Sequence, residues 1–260
     1  MGSAIAEHIK SKYGVLAFDN DTNKTKNLSG IKVATDNIDL LKNSDTVILA
    51  VKPQDFEVVL NEIKDYAKDK LIISIAAGKK TKYIERVLGK ARVVRGMPNL
   101  PAKVGRGMIC LCKGRYAKKN DLDIAKQLFG KLGKVLILKE KMMDASTAIS
   151  GSGPGYFYYK LEGKSIDEIK NITHTFASSL TASAQEIGFS YLIARTLAET
   201  TTRGSIAYLE ETKLSSAEAK KQVVSKGGTT AAGLEVLRRG GSLTEAVKAA
   251  LKRAEELSKS

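Results

Sequence analysis

Thr46-Val47-Ile48-Leu49-Ala50-Val51, stopped by Lys52-Pro53, is the stretch on which the fold turns. It is a short, unbroken apolar run rich in β-branched residues, as expected of a strand buried on both faces of a parallel sheet. Working outward, similar runs stand at Val15-Leu16-Ala17-Phe18, Leu71-Ile72-Ile73-Ser74-Ile75, Arg92-Val93-Val94-Arg95, Gly107 to Leu111 and Val135-Leu136-Ile137-Leu138. Helical patterns separate them at Ile38 to Leu41, Phe56 to Ala67, Thr81 to Leu88 and Asp121 to Leu132. Strands alternating with helices predict an α/β domain, a parallel sheet covered on both faces. Ligands bind outside the carboxyl ends of such strands. Those ends read Ala50-Val51-Lys52-Pro53, Ala76-Ala77-Gly78 and Met97-Pro98-Asn99.

After Glu140 the texture changes. Helical patterns dominate from Met142, broken at Ser150–Gly155 and at Gly227-Gly228. This predicts two domains, a sheet domain over 1–140 and an all-helical domain over 141–260. At the other end the chain opens directly on a helical pattern over 1–14. A dinucleotide-binding fold opens instead on a strand and a glycine-rich turn. Met1-Gly2-Ser3 reads as the tail of such a turn, with a first strand and turn of about ten residues expected upstream. The other reading is a sheet without its central strand, which leaves two strand edges unpaired. The upstream reading frame separates the two.

Composition narrows the function. The chain has 260 residues, 43% of them hydrophobic, enough for a substantial core. No apolar run is long enough to span a bilayer, and the start lacks the basic-then-apolar pattern of a signal peptide. With only two cysteines, the expected compartment is the cytoplasm. Cys110 and Cys112 alternate on a strand with no His/Cys cluster beside them, so they read as small buried hydrophobes and no metal site is expected. Net charge is +15, from 43 Lys and Arg against 28 Asp and Glu. The lysines are spread along the chain, and Trp is absent, so stacking platforms for bases are poorly supplied. Neither nucleic acid nor a membrane is the expected partner.

Two loops carry the chemistry. Ser150-Gly151-Ser152-Gly153-Pro154-Gly155 is either a connector between helices or a place where backbone closely approaches a ligand. Ser225-Lys226-Gly227-Gly228-Thr229-Thr230 allows a tight turn before a helical pattern. One reading is an ordinary helix capped by Thr229 or Thr230. The other is an anion site built from free N–H groups at the helix start, with the Thr230 hydroxyl reaching the same ligand.

In order along the chain, Ala50–Pro53, Ala76–Gly78, Met97–Asn99, the Ser150–Tyr156 loop and the Gly227–Thr230 loop resemble pyrroline-5-carboxylate reductases. The resemblance runs over nearly the whole chain. It implies a Rossmann-like cofactor domain, a helical dimerisation domain that makes a homodimer or higher oligomer, and reduction of 1-pyrroline-5-carboxylate to L-proline by NADPH or NADH. It also implies roles. Met1, Gly2, Asn20, Asn37, Ala50, Val51, Lys52, Pro53, Ala77, Asn99 and Glu140 would border the cofactor. Ser225, Gly227, Gly228, Thr229 and Thr230 would hold the substrate carboxylate, with Thr230 facing the ring nitrogen as the catalytic hydroxyl. This sequence departs from the family pattern at Lys226, where a Pro is usual, at Leu100 in place of Thr, and at Gly155 in place of Ala. Lys160 to Thr173 reads as an insertion in a family helix.

Asp19 stands where an acid binds the ribose of NADH, while Lys24 and Lys26 stand close enough to grip a 2′-phosphate, so either cofactor fits. Two alternatives compete with the reductase. A related hydroxy-acid dehydrogenase would carry a catalytic lysine in the helical domain, and the Gly227–Thr230 loop argues against it. A truncated cofactor-binding protein would be stabilised by NADPH without turning over.

Overall fold

The run from Thr46 becomes strand β3 (Thr46–Leu49) in the computed structural model, which describes residues 1–259, side chains included except at 166 and 167. The other strands are β1 (Leu16–Ala17), β2 (Lys32–Val33), β4 (Leu71–Ser74), β5 (Arg92–Met97), β6 (Gly107–Lys113) and β7 (Gly133–Ile137). Between them lie α1 (Gly2–Ile9), α2 (Asn37–Lys42), α3 (Phe56–Ile63), α4 (Thr81–Leu88) and α5 (Lys119–Phe129). Every residue of β4 is buried, as a strand covered on both faces requires. On one face Ile5 and Ile9 of α1 and Phe129 of α5 pack against Ile73, Val94 and Ile109. On the other, Phe56 and Leu60 of α3 and Ile84 of α4 pack against Val47, Ile72 and Val93.

The main sheet runs in the order β3-β4-β5-β6-β7. It is not wholly parallel: β5 and β6 are antiparallel, with Arg95 opposite Cys112. The reason is the length of the link from Met97 to Gly107. It holds one short turn of tight helix, Leu100–Val104, and a parallel pair needs a crossover of a dozen or more residues. β1 and β2 pair in parallel as a separate two-stranded sheet.

After Glu140 the described chain is helical: α6 (Met143–Ser146), α7 (Gly153–Leu161), α8 (Ile166–Glu186), α9 (Tyr191–Thr212), α10 (Ser216–Val223), α11 (Thr229–Arg238) and α12 (Leu243–Leu257). The Ser150–Gly155 loop does not break the chain into a turn. Thr147–Gly151 is a widened helical turn that leads into α7 with only Ser152 between, and Ser152 N–H donates to the Thr147 carbonyl at 2.9 Å. Such bulges recur at functional sites. The expected insertion, residues 160–173, covers the end of α7, the break at 162–165 and the first turns of α8. The helical half shares one core with the near face of the sheet, where Met108, Cys110 and Cys112 meet Tyr156, Leu197, Leu234 and Val247. Both cysteines are buried and unbridged. Burial pushes their thiols up, to about 11 at Cys110 and about 12 at Cys112, so they stay protonated and inert. Among the described residues no helix is long and apolar enough to cross a membrane.

Candidate active site

Two groups of residues from the sequence reading come together, one at each end of the chain. At the carboxyl end of β3, Gly2 lies so close to Ala50 that a Cβ on it would sit 3.0 Å from the Ala50 Cβ. The start of α1 is thus pressed against the strand end. Its N-cap, Met1, makes no side-chain capping bond, so the first N–H groups of the helix are left for a ligand. Ala50, Lys52 and Pro53 are exposed beside it, Val51 is half-buried, and Ala77 is exposed after β4. An exposed strand-end rim beside an uncapped helix start suits a dinucleotide phosphate.

Of the remaining cofactor candidates, Asn37, Asn99 and Glu140 have protein partners. Asn37 donates to Glu62 at 2.8 Å. Asn20 is exposed. Asp19 and Lys24 pair at 3.0 Å, and this bond holds the Lys24 ammonium above its usual range. The two side chains expected to recognise the ribose and its 2′-phosphate therefore pair with each other. Asn99 is 2% exposed and spends both ends of its amide on the fold. Its Nδ2 donates to the Ser150 carbonyl and its Oδ1 accepts from Met108 N–H. It clamps the Ser150 turn to β6. Glu140 accepts from both the backbone and the hydroxyl of Thr81 at 2.7 Å, so it caps α4.

The second group is the loop before α11. Gly228 N–H donates to the Ser225 carbonyl at 3.0 Å, which closes a four-residue turn. Gly227, its third residue, has φ +68, a conformation glycine adopts without strain. The N-cap of α11 is Gly228, with no side-chain capping bond. Neither threonine caps the helix: both lie inside it, and its first N–H groups remain open. Thr230, the second residue of the helix, is 4% exposed. Its Oγ1 donates to Ser152 Oγ at 3.1 Å, and Thr229 Oγ1 lies 3.0 Å from the same atom. The loop is held from outside by Arg253 of α12, whose Nε donates to the Gly227 carbonyl at 2.7 Å. Ser152 and Arg253 were not singled out as site residues by the sequence. Ser152 stood in view inside the glycine-serine stretch; nothing near Arg253 marks it.

The arrangement is an uncapped helix start with a buried threonine in its first turn, on a chain whose sheet has a second uncapped helix start beside a strand end. Residues 171–258 match the family model for pyrroline-5-carboxylate reductase dimerisation, and residues 1–78 match a coenzyme F420-dependent NADP oxidoreductase model. A pyrroline-5-carboxylate reductase of Glycine max is 36% identical over 88% of this chain and 79% of its own length. The chain belongs to the pyrroline-5-carboxylate reductase family. Solved reductases of the same family agree in fold. That of Coxiella burnetii superposes with a TM-score of 0.66 at 29% identity, covering 100% of this chain and 95% of its own. That of Plasmodium falciparum, determined with NADP bound, gives 0.64 at 29% identity, covering 99% and 94%.

Proposed function

We propose that the loop before α11 binds the carboxylate of 1-pyrroline-5-carboxylate and that Thr230 meets its ring nitrogen. The chain reduces this imine to L-proline with hydride from NADPH or NADH, the last step of proline biosynthesis. The observation that carries the site assignment is the start of α11: open N–H groups, no capping side chain, and a buried threonine in the first turn. A helix N-terminus favours a carboxylate through its free donors and its dipole. Ser225, Gly227, Gly228 and Thr229 form that cradle, and the glycines let the ligand approach the backbone.

Met1, Gly2, Ala50, Val51, Lys52, Pro53 and Ala77 would hold the cofactor along the strand ends, with Asn20 and Asn37 toward its outer end. When bound, the cofactor supplies the hydride. The protein supplies placement. Asn99 and Glu140 act in this reading by fixing the Ser150 turn and α4 beside the site. The functional boundary falls near residue 140, with the sheet unit 1–140 for the cofactor and the helical unit 141–260 for the substrate. The enzyme works in the cytoplasm as a homodimer built through the helical unit, where Tyr191 and Leu192 stand exposed at the start of α9.

The test is oxidation of the reduced nicotinamide with pyrroline-carboxylate as acceptor, in the wild type and in Thr230→Val. The valine keeps the shape and removes the hydroxyl. Loss of one hydrogen bond to a charged nitrogen should lower kcat/KM by about tenfold. An unchanged kcat/KM would remove Thr230 from the site.

A further inference from the structure

The peptide between Gly227 and Gly228 has no side chain of its own to hold it, and one residue outside the loop does so. We infer that this residue, Arg253 of α12, is a positioning residue for the reduction, a role that rests on the carboxylate reading of the loop given above. It sets the direction of the N–H groups at the start of α11 and holds them in place relative to the strand-end rim.

Glycine takes φ of either sign about equally well, so two in succession leave a turn with competing orientations. Gly227 is at φ +68 and Lys226 is not in the positive-φ region, which makes Ser225–Gly228 a type II turn. Proline at the first central position would stiffen such a turn. Here that position is Lys226. The restraint comes instead from two bonds to one peptide unit. Gly228 N–H donates to the Ser225 carbonyl at 3.0 Å, and Arg253 Nε donates to the Gly227 carbonyl at 2.7 Å. A peptide is planar, so holding its N–H and its C=O holds its plane. Gly228 is the N-cap of α11, and the backbone that follows from this plane carries the open N–H groups.

Arg253 is itself held. Its Nη1 pairs with Glu256 at 2.9 Å, which offsets part of its charge, so its contribution is direction more than long-range attraction. One turn further along α12, the Leu257 carbonyl lies against the loop after β4: a Cβ on Gly78 would sit 2.6 Å from it. Just past the helix, the Ser258 hydroxyl donates to Asp144 at 2.8 Å, and Asp144 accepts from Arg95 of β5. The end of α12 is therefore anchored to the sheet beside Ala77, on the cofactor side. Arg253 carries that anchorage across to Gly227, on the substrate side. One helix thus fixes the separation between the carboxylate cradle and the hydride donor, and small errors in that separation are costly in rate.

L-Proline and L-prolinamide have nearly the same shape and differ in the charge on the carboxylate. Their inhibition constants are measured, with steady-state kinetics, on the wild type, Arg253→Ala, Arg253→Lys, Lys226→Pro and the Arg253→Ala/Lys226→Pro double variant. The wild type should prefer proline by about tenfold. Arg253→Ala should raise the substrate KM about tenfold, leave the KM for the nicotinamide steady, and shrink the preference for proline at least about threefold. Arg253→Lys keeps one donor for the carbonyl and should recover part of both. In the Lys226→Pro background Arg253→Ala should cost less, because the proline ring then restrains the turn from within. An Arg253→Ala enzyme with normal substrate KM overturns the inference. So does a raised KM with unaltered ligand preference, the mark of general damage to the fold, and so does an equal cost in both backgrounds. Should Arg253→Ala not fold, Arg253→Lys gives the same reading through its partial loss of preference. A wild type that binds the two ligands alike would sink the carboxylate reading of the loop itself, and the role of Arg253 with it.

Discussion

Arg95→Ala should destabilise the protein by about 3–5 kcal/mol, the range for removing one partner of a buried ion pair. Arg95 is 1% exposed, in the middle of β5. Its Nη2 donates to Asp144 Oδ1 at 3.1 Å, and Nη1 lies 4.0 Å from Glu140. Asp144 also accepts from the Ser258 hydroxyl at 2.8 Å, just past the end of α12. One guanidinium therefore ties the sheet to both the first and the last helix of the helical half. Truncation leaves Asp144 and Glu140 without their cation, beside a cavity the length of the lost side chain. The sign differs when both partners go. Arg95→Met with Asp144→Leu replaces the pair by apolar groups and should recover most of the loss, because neither charge then stays buried alone. Urea unfolding at equal protomer concentration measures both, since the stability of a dimer depends on concentration. A loss under about 1 kcal/mol for Arg95→Ala, the value of an exposed pair, would show that the bridge contributes nothing.

Arg95 also shows where sequence reading stops. In Arg92-Val93-Val94-Arg95 the strand is legible because the valines are β-branched and apolar. Nothing there says which arginine is buried. That depends on Asp144, which lies 49 positions away. The same limit explains the β5–β6 direction: the local pattern of β6 is that of a buried strand either way, and only the short Met97–Gly107 link decides. β2 has no signature in the sequence, because its two residues, Lys32 and Val33, are both exposed and make no apolar run. The candidate site was legible where glycine forces backbone geometry, as at Gly227 and Gly228. It was not legible where a polar side chain is used by the fold. Asn99 and Glu140 look in sequence like residues free for a cofactor, yet their partners, Ser150 and Thr81, lie 51 and 59 positions away. Ser152 is the converse case, a serine in a glycine-rich stretch whose partner, the Thr230 hydroxyl, lies 78 positions on.

Gly228→Asp should make the enzyme more stable and nearly inactive. Gly228 is the N-cap of α11 and extended, with φ −83 and ψ 174. Any residue adopts that backbone. A Cβ there would meet Ser225 Oγ at 2.2 Å, but that atom ends a short side chain that can rotate away. Asp is among the best N-caps, and its carboxylate would accept from the open N–H groups of Thr229 to Ala231. Such a cap stabilises by a few tenths to about 1 kcal/mol over glycine. Those N–H groups are the ones assigned to the substrate carboxylate. The variant fills the cradle with an anion of its own and repels the one that should enter. Losing two charge-assisted hydrogen bonds predicts a fall in kcat/KM of about a hundredfold or more, carried mainly by KM. Gly228→Asn separates the two contributions, because it caps without charge and should lose less. Thermal melting and steady-state kinetics on the same preparations give both signs. A stabilised Gly228→Asp enzyme with normal KM would move the carboxylate site away from α11. The wild-type glycine would then be explained by the turn alone, not by the space its missing side chain leaves for substrate.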